Sequence, residues 1–507
     1  MNERQTYGRA TLYCALNETE LNEETIAQSL ETLIPIHDRN KEETLYLKDY
    51  LVGKQDIANK VKHTREEINN KFVENWTYAI NEFMKSFILH EPIQYVQNNN
   101  TTNKELVQLN SYIDYEEKAK KDLELLEDIV LSGRGYRYVA PDKKEEEDEA
   151  PFELYNIDSE FCEIVYNSGI EKKQLFAFVE TPMQEERTEI VDGQEQKYIY
   201  DYSLYTVYTQ DMIYRYTTIN GQLDYMKPKA EENVILYPKG HRIIEYYFNK
   251  RRFSILEAIK PLLDKINQLE SLDMDDMEQF VNALMIFKNA NITEETIQQG
   301  KELGALLLKS DTNMPADATL LQNRMSATDT QVFYQRLIGA MLSIIAMPYA
   351  VDNGSYGDTG VAKSTGQGWE MADQRSSPLV VAFGTSDKQI LKYILKICRE
   401  TEKSGIKNLK VSDIDIRFKV NKNANILEKT QALLNMKSAQ ISPNIAIPTS
   451  KIFNDDQNAI IESSNFYGEN FWKEKETNDF NNQEQNELNK QVNEIQDIKE
   501  INKQKGV

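Results

Sequence analysis

Apolar residues recur every three or four positions over some stretches of the chain and every second position over others. In "NNKFVENWTYAINEFMKSFILHEPIQY" (69–95), Phe72, Trp76, Ile80, Phe83, Met84 and Phe87 keep helical spacing. The pattern predicts an amphipathic helix that turns extended at Pro92. A second helix is expected over about 103–131, carried by Leu106, Leu109, Ile113, Leu123, Leu126 and Val130 and closed by Gly133 and Gly135. Ahead of these, residues 1–45 are polar and read as helical in part, and "LKDYLVGKQDI" (47–57) as a short helix ending near Gly53.

The period then changes to two. "CEIVYN", "KQLFAFVE", "QKYIYDYSLYTVYT" and "DMIYRYTTINGQLDY" alternate tyrosines and β-branched residues with polar ones, and Asn220-Gly221 is a hairpin signal. An antiparallel sheet with one wet face is expected. Tyrosines can stack on bases, but no basic residues interleave with these, so they read as a sheet face. The charge run "DKKEEEDEA" (142–150) reads as a solvated loop.

Helical spacing returns at 253. Ser254 and Glu257 offer a capping box, followed by a stripe of Phe253, Leu256, Ile259, Leu263, Ile266, Leu269 and Leu272. Pro261 inside this run should kink the helix or mark its true start. "ESLDMDDMEQF" (270–280) lacks histidine and the Asx/Gly pattern of a calcium loop, so it reads as a solvated face. Two strand-like runs, "NALMIFKN" and "ELGALLLKS", precede a helix at 327–346 on Val332, Leu337, Ile338, Met341, Leu342 and Ile345. A segment rich in Gly, Ser, Thr and Asp (348–377) comes next. Then follow a helix over 386–404, an alternating strand over 411–421, a helical pair broken at 441–450, and a tail from 473 with little to bury. The aromatic cluster Phe466 to Trp472 precedes that tail.

Charge narrows the function. The 507 residues leave room for several domains, and 82 acidic against 59 basic residues give a net charge of −23. A protein that grips nucleic acid through its phosphates shows the opposite balance. The three cysteines (Cys14, Cys162, Cys398) and four histidines lie far apart, which gives neither a disulfide framework nor metal spacing. The start of the chain has no apolar core of signal-peptide length, and "LIGAMLSIIAMPYAV" (337–351) is too short to span a bilayer. A soluble, intracellular protein is expected, with no membrane partner.

"YGDTGVAKST" (356–365) imitates a phosphate-binding loop, with Gly357 at the right distance from Lys363 and Ser364. Ala362 stands where that loop needs glycine, and the residues ahead of it are helix-periodic rather than strand. A Gly/Ser/Asp loop between two helices describes it better than a nucleotide site.

The order of parts resembles the portal protein of tailed bacteriophages, in particular the type of long-tailed phages of Gram-positive hosts. The resemblance covers most of residues 45–465. "NNKFVENWTYAINEFMKSFILHEPIQY" is similar to the family's N-terminal helix and turn, with Glu91 near the usual glycine. "SGRGYRYV" and "NIDSEFCEIVYN" are similar to the strands that follow. "HRIIEYYFNKRRFSILEAIKPLLDKINQLES" is similar to the entry into the stem, with Arg242 in place of a proline, Tyr246 in place of the family's aromatic and Asn249 as the one asparagine kept of two. "DIDIRFKVNKNANILEKTQALLNMKSAQISPNIAI" is similar to the later strand, turn and helix.

The resemblance implies an α+β portal fold: wing over 1–250, stem helices over 251–284 and 326–346 and a small β clip over 285–325. A tunnel loop and long helix would occupy 347–404, a crown 405–472 and a polar tail 473–507. It implies a homo-oligomeric ring, usually of twelve subunits, at one capsid vertex of the virion, assembled in the host cytoplasm. The implied partners are the terminase large subunit, scaffolding and major capsid proteins, a head–tail adaptor, and double-stranded DNA passing through. Within the tunnel loop (347–368), Asn353, Ser355, Tyr356, Asp358, Thr359 and Lys363 would face DNA, with no catalytic, cofactor or metal residues. Two alternatives stay open: a packaging ATPase using 357–364, and a capsid scaffold with no channel.

Overall fold

The computed structural model describes residues 6–63, 65–97, 103–142, 149–191, 194–219, 222–224, 234–281, 285–288, 317–320, 327–349, 368–418, 426–450 and 452. The chain divides into two units, Met1–Lys422 and Asn423–Val507. In the first, helix α1 (Glu23–Leu51) begins at Asn22, whose side chain accepts from the Glu24 and Thr25 N–H groups. Its buried stripe runs through Ile26, Leu30 and Leu33, then His37, Asn40 and Thr44, then Leu47 and Tyr50. Polar residues in mid-stripe hide the period, so the helix expected at 47–57 is the last turn of a 29-residue one. The polar stretch docks on carboxylates of the large sheet: His37 Nε2 lies 3.0 Å from Glu180 and Asn40 donates to Glu163 at 2.9 Å. Burial would drive the His37 pKa down, but Glu163 and Glu180 more than offset it and raise it.

That sheet has seven strands: β1 (Leu12–Cys14), β5 (Cys162–Asn167), β6 (Gln174–Val191), β7 (Gln194–Tyr208), β8 (Met212–Ile219) and β10 (Val234–Ile235) in order, with β9 (Gln222–Asp224) paired to β8. It is antiparallel as expected, except that β1 joins β5 in parallel. Ile219 pairs with Gln222, so β8 and β9 flank the expected hairpin residues Asn220 and Gly221, which lie outside the described residues. A second sheet orders β11 (Ile243–Tyr247), β3 (Arg134–Pro141) and β4 (Phe152–Ile157). A third pairs β2 (Gln94–Gln97) with β14 (Ile414–Arg417), which is the centre of the strand expected at 411–421.

Several helices differ from the pattern. The one expected over 69–95 is α2 (Trp76–Ile88), because residues 70–74 are extended against another helix. The one expected over 103–131 is two, α3 (Lys104–Tyr115) and α4 (Lys118–Ser132), broken where Glu117 takes a left-handed φ of 50°. Gly133 closes α4 as anticipated, with φ 83°. Helix α5 (Ile255–Val281) starts at its capping box and runs through Pro261, which therefore does not mark its start. Helix α6 (Ala327–Ile345) matches expectation. Helix α7 (Trp369–Glu400) begins 17 residues ahead of the expected 386, through "MADQRSSP", whose small polar residues look like loop.

Of the two strand-like runs, the first contributes β12 (Met285–Lys288) and the second lies outside the described residues. The partner of β12 is β13 (Asp317–Leu320), which the apolar pattern does not mark. In the second unit, α8 (Ile426–Ser438) and α9 (Pro443–Ser450) form the helical pair. The expected break at 441–450 is mostly helix, with Pro443 in the first turn where it lacks no needed N–H. The tail and the cluster at 466–472 lie outside the described residues.

The main core gathers α2 to α7 with β2 and β3 around Leu126, Leu263, Ile266, Met341, Ile390 and Ile394, all fully buried. Each such side chain contributes about 1.5–3 kcal/mol. A charged clasp sits within this core. Asp387 of α7 accepts from Tyr246 Oη at 2.8 Å, from Tyr95 Oη, and from Lys118 Nζ at 3.1 Å. Lys118 also bonds Asp122 at 2.9 Å, and Asp122 bonds Arg137 at 2.5 Å. Two cations and two carboxylates, with two tyrosine hydroxyls, come from α4, α7, β2, β3 and β11. Burial works against the Asp387 carboxylate, yet Lys118 and Arg137 hold its pKa below the usual range, so it stays charged. Removing one member strands the others. Asp387→Asn is expected to cost about 3–5 kcal/mol in denaturant unfolding; a loss within about 0.5 kcal/mol, ordinary for surface changes, would show that the clasp does not hold α7 to the sheets.

Candidate functional site

The helix pair α5 and α6 is the element the rest of the first unit positions. The entry of α5 is fixed first. Ser254 N–H donates to Glu257 Oε2 at 2.7 Å and Glu257 N–H to Ser254 Oγ at 2.9 Å, completing the capping box. The same glutamate accepts from Gly8 N–H at 2.9 Å and from the Arg9 guanidinium. Two glycines press on the backbone just ahead. A Cβ on Gly8 (φ 85°) would lie 2.2 Å from the Arg251 carbonyl oxygen, and one on Gly133 (φ 83°) 2.1 Å from that of Arg252. Only glycine fits either place, by conformation and by space.

Beyond this entry, α5 presents a polar stripe to its own chain: Lys260, Asp264, Asn267, Ser271 and Asp275, all buried. Lys260 bridges Asp264 at 2.8 Å and Asp56 at 3.0 Å, and Tyr50 donates to Asp264 at 2.9 Å. An extended strap, residues 70–74, lies along the stripe. Its alternate N–H groups donate to successive turns of the helix: Asn70 to Asp275 at 2.7 Å, Phe72 to Ser271 at 2.9 Å, Glu74 to Asn267 at 2.9 Å. The fit is one of lengths. Two residues of extended chain advance about 6.6 Å and four residues of helix about 6 Å, so each second donor meets an acceptor. Lys60 and Lys62 close on Asp275 at 2.8 and 3.2 Å. Burial would raise the Asp275 pKa, but these lysines and the Asn70 N–H bring it down to about 2. The acidic stretch read as a solvated face is therefore divided: Asp273 and Asp276 are exposed, and Asp275 is a buried anchor.

Helix α6 buries Ile338, Met341, Leu342 and Ile345 and sends the Tyr334 hydroxyl to Glu74 at 2.7 Å. Its outer side is exposed and mixed: an apolar stripe runs beside Arg336 and Ser343, both exposed. Phe333, Ala340 and Ile344 align at spacings of seven and four, with Phe333 49% and Ile344 40% exposed. On α5, Met274 and Met277 are exposed three residues apart.

The tunnel-loop candidates Asn353, Ser355, Tyr356, Asp358, Thr359 and Lys363 lie outside the described residues, as does the phosphate-loop look-alike. The two ends of that segment are described. Helix α6 closes with Ala346 at φ 56° and Met347 N–H donating to Leu342 O at 2.9 Å, so a helix, not a strand, leads into it. At the far end a Cβ on Gly368 would lie 3.8 Å from the Pro348 Cα, so the segment leaves and returns at one point. Trp369 holds that point against Phe83 and Phe87, ring centroids 6.5 and 6.2 Å away.

A family model described as "Phage portal protein, SPP1 Gp6-like" matches residues 30–497. The chain belongs to that family. As a phage portal protein it is a subunit of the ring at one capsid vertex through which DNA is packaged and ejected. The family is one of structural proteins. No curated protein matches the chain. Among solved structures it is similar, at 12% identity and a TM-score of 0.39, to a chain of "Neck of empty GTA particle computed with C6 symmetry", covering 80% of this chain and 93% of that one. It is likewise similar, at 12% identity and a TM-score of 0.38, to a chain of "Neck of native GTA particle computed with C12 symmetry", covering 76% and 88%. Among the described residues of the portal protein no helix is long and apolar enough to cross a membrane, and no group of His, Cys, Asp or Glu is set to hold a metal.

The strap and its stripe went unread in the sequence, although a signal for them exists. Lys260, Asp264, Asn267, Ser271 and Asp275 recur at four, three, four and four, which marks one continuous polar face along the helix. The strap's ionic anchor has a pH signature. Asp275 titrates at about 2 in the fold against 3.8 unperturbed. Its contribution is complete above the unfolded value and is lost as pH falls from there through about 2, a total of roughly 2 kcal/mol. Asp275→Asn should lower stability at neutral pH by about that amount and flatten the acid limb of the stability profile; an unchanged limb would remove the anchor from the account.

Proposed function

We propose that the chain builds a ring of twelve copies assembled in the host cytoplasm, with wing over 1–250, stem from α5 and α6, clip over 285–325, tunnel loop over 347–368 and crown over 405–472. The clip docks the terminase large subunit during packaging and a head–tail adaptor afterwards, and the wing and crown face scaffolding and major capsid proteins. No catalytic group or cofactor takes part. The observation that carries this reading is the two-sidedness of the helix pair. One face of α5 is bound to its own strap and α6 packs on the core, yet Phe333, Ala340, Ile344, Met274 and Met277 stay apolar and exposed. Identical copies on either side would cover them, and a head-to-tail contact that closes makes a ring.

Charge suits the task. Each phosphate neutralised adds salt-dependent affinity, which is drag on a moving duplex, and a net −23 per chain multiplied around a ring opposes adhesion. The tunnel loop then supplies Asn353, Ser355, Tyr356, Asp358 and Thr359 as non-specific contacts and Lys363 as one positive point per subunit.

Two substitutions test the two halves of the proposal. Ile344→Asp, paired with Phe333→Asp as a second variant, places a carboxylate on the exposed stripe and should leave a folded chain of one-subunit mass by light scattering. A full ring in both variants would move the contact elsewhere. Lys363→Ala should keep the ring while changing DNA packaging or retention in assembled heads; loss of the ring would make the residue structural.

A further inference from the structure

We infer that a lysine-lined cleft beside the C-terminal half of α7 is a docking site for an acidic peptide segment, and that its occupant is the run Glu145–Asp148 of a neighbouring copy. The choice of neighbour rests on the ring reading above; the cleft itself does not. The cavity measures about 820 Å³ and lies between the β5–β6 turn, the loop ahead of β11, and α7. Lys173, Lys239, Lys392 and Lys396 line it against Glu18 and Glu171. A positive cleft in a chain of net charge −23 is a local exception that the fold alone does not call for.

The lysines differ in how far they are engaged. Lys239 pairs with Asp211 at 2.7 Å across exposed side chains, and Lys173 pairs with Glu171 at the rim. Lys396 donates to the Lys239 carbonyl at 2.5 Å, and no ion pair among the described residues engages it or Lys392. His241 adds no charge, because burial drives its pKa down to about 4. The cleft's free positive charge is thus centred on α7.

Geometry selects an extended carboxylate-bearing chain. Lys392 and Lys396 stand one helical turn apart, about 6 Å, and exposed Lys388 continues the row outside the cleft. Alternate side chains of an extended peptide are about 6.6 Å apart. The same correspondence already operates in this chain, where the strap's Asn70, Phe72 and Glu74 meet Asp275, Ser271 and Asn267. A single extended strand matches one row of lysines, whereas a duplex, whose major groove alone is about 12 Å across, is bulkier, and the test separates the two. Glu145, Glu146, Glu147 and Asp148 belong to the densest acidic run of the sequence, and a head-to-tail ring brings unlike surfaces of identical chains together.

The test uses the full-length chain and a labelled peptide of sequence KEEEDE. Binding is expected at low salt, weakened about tenfold or more in K392E and in K392E/K396E, as for removal of close charge pairs. Ring assembly should weaken in K392E/K396E and recover when E145K/E146K/E147K is added to the same chain. Circular dichroism of K392E, a change at an exposed position, guards against misfolding. If the peptide fails to bind the native chain, or if duplex DNA binds the cleft in its place, the proposal is overturned while rings that still form leave the portal reading intact. Peptide binding without recovery in the charge swap overturns the choice of occupant. A chain that never forms rings but binds the peptide fails the ring reading alone.

Discussion

A backbone N–H turned away from water must find an acceptor, and those of the strap residues Asn70, Phe72 and Glu74 find theirs, in half-buried hydrogen bonds, on the side chains of one helix. That constraint decides which face of α5 belongs to its own chain. A helix amphipathic in the ordinary sense would turn its apolar stripe inward and its polar residues to water. Here α5 buries both an apolar stripe and a polar one, because the polar stripe is saturated by the strap and by Lys60 and Lys62. What is left outward is a third face with Met274 and Met277, alongside the exposed apolar stripe of Phe333, Ala340 and Ile344 on α6. The assembly surface is what remains after the strap has been satisfied.

Rigidity at the two ends of the helix pair follows the same logic. At the entry, Gly8 and Gly133 allow backbone to touch backbone, and Glu257 ties the N-terminal segment to the cap. At the exit, Pro348 and Gly368 meet and Trp369 packs on Phe83 and Phe87. The clasp around Asp387 then fixes α7 to the β11-β3-β4 sheet and to the β2-β14 pair. In a portal subunit this arrangement gives the two described ends of the segment between α6 and α7 a fixed base.

Legibility in the sequence followed the chemistry of each segment. The capping box at Ser254 and Glu257, the Gly133 cap, the tyrosine-rich antiparallel sheet and α6 were all readable, because each rests on local spacing or turn chemistry. The family was readable from the order of parts. Three elements were hidden for a physical reason. In α1 the buried His37, Asn40 and Thr44 interrupt the apolar period, since they face carboxylates rather than a greasy surface. In α7 the run after Trp369 carries Ser376, Ser377 and Pro378, which read as loop, although Met371, Ala372, Gln374 and Arg375 favour helix. In the strap, Phe72 keeps helical spacing with α2 by coincidence while its backbone is claimed by α5. Lys260 and Asp275 could have been read as functional only by asking what a polar stripe on an otherwise apolar helix faces.

The central claim is that the outer faces of α5 and α6 are completed by copies of the same chain. Electron microscopy of the purified full-length protein tests it most directly. The account predicts closed annular particles with a central hole, in which Phe333, Ile344, Met274 and Met277 lie against the adjacent subunit. Single compact particles at every concentration, or a ring in which those four side chains remain in solvent, would contradict it.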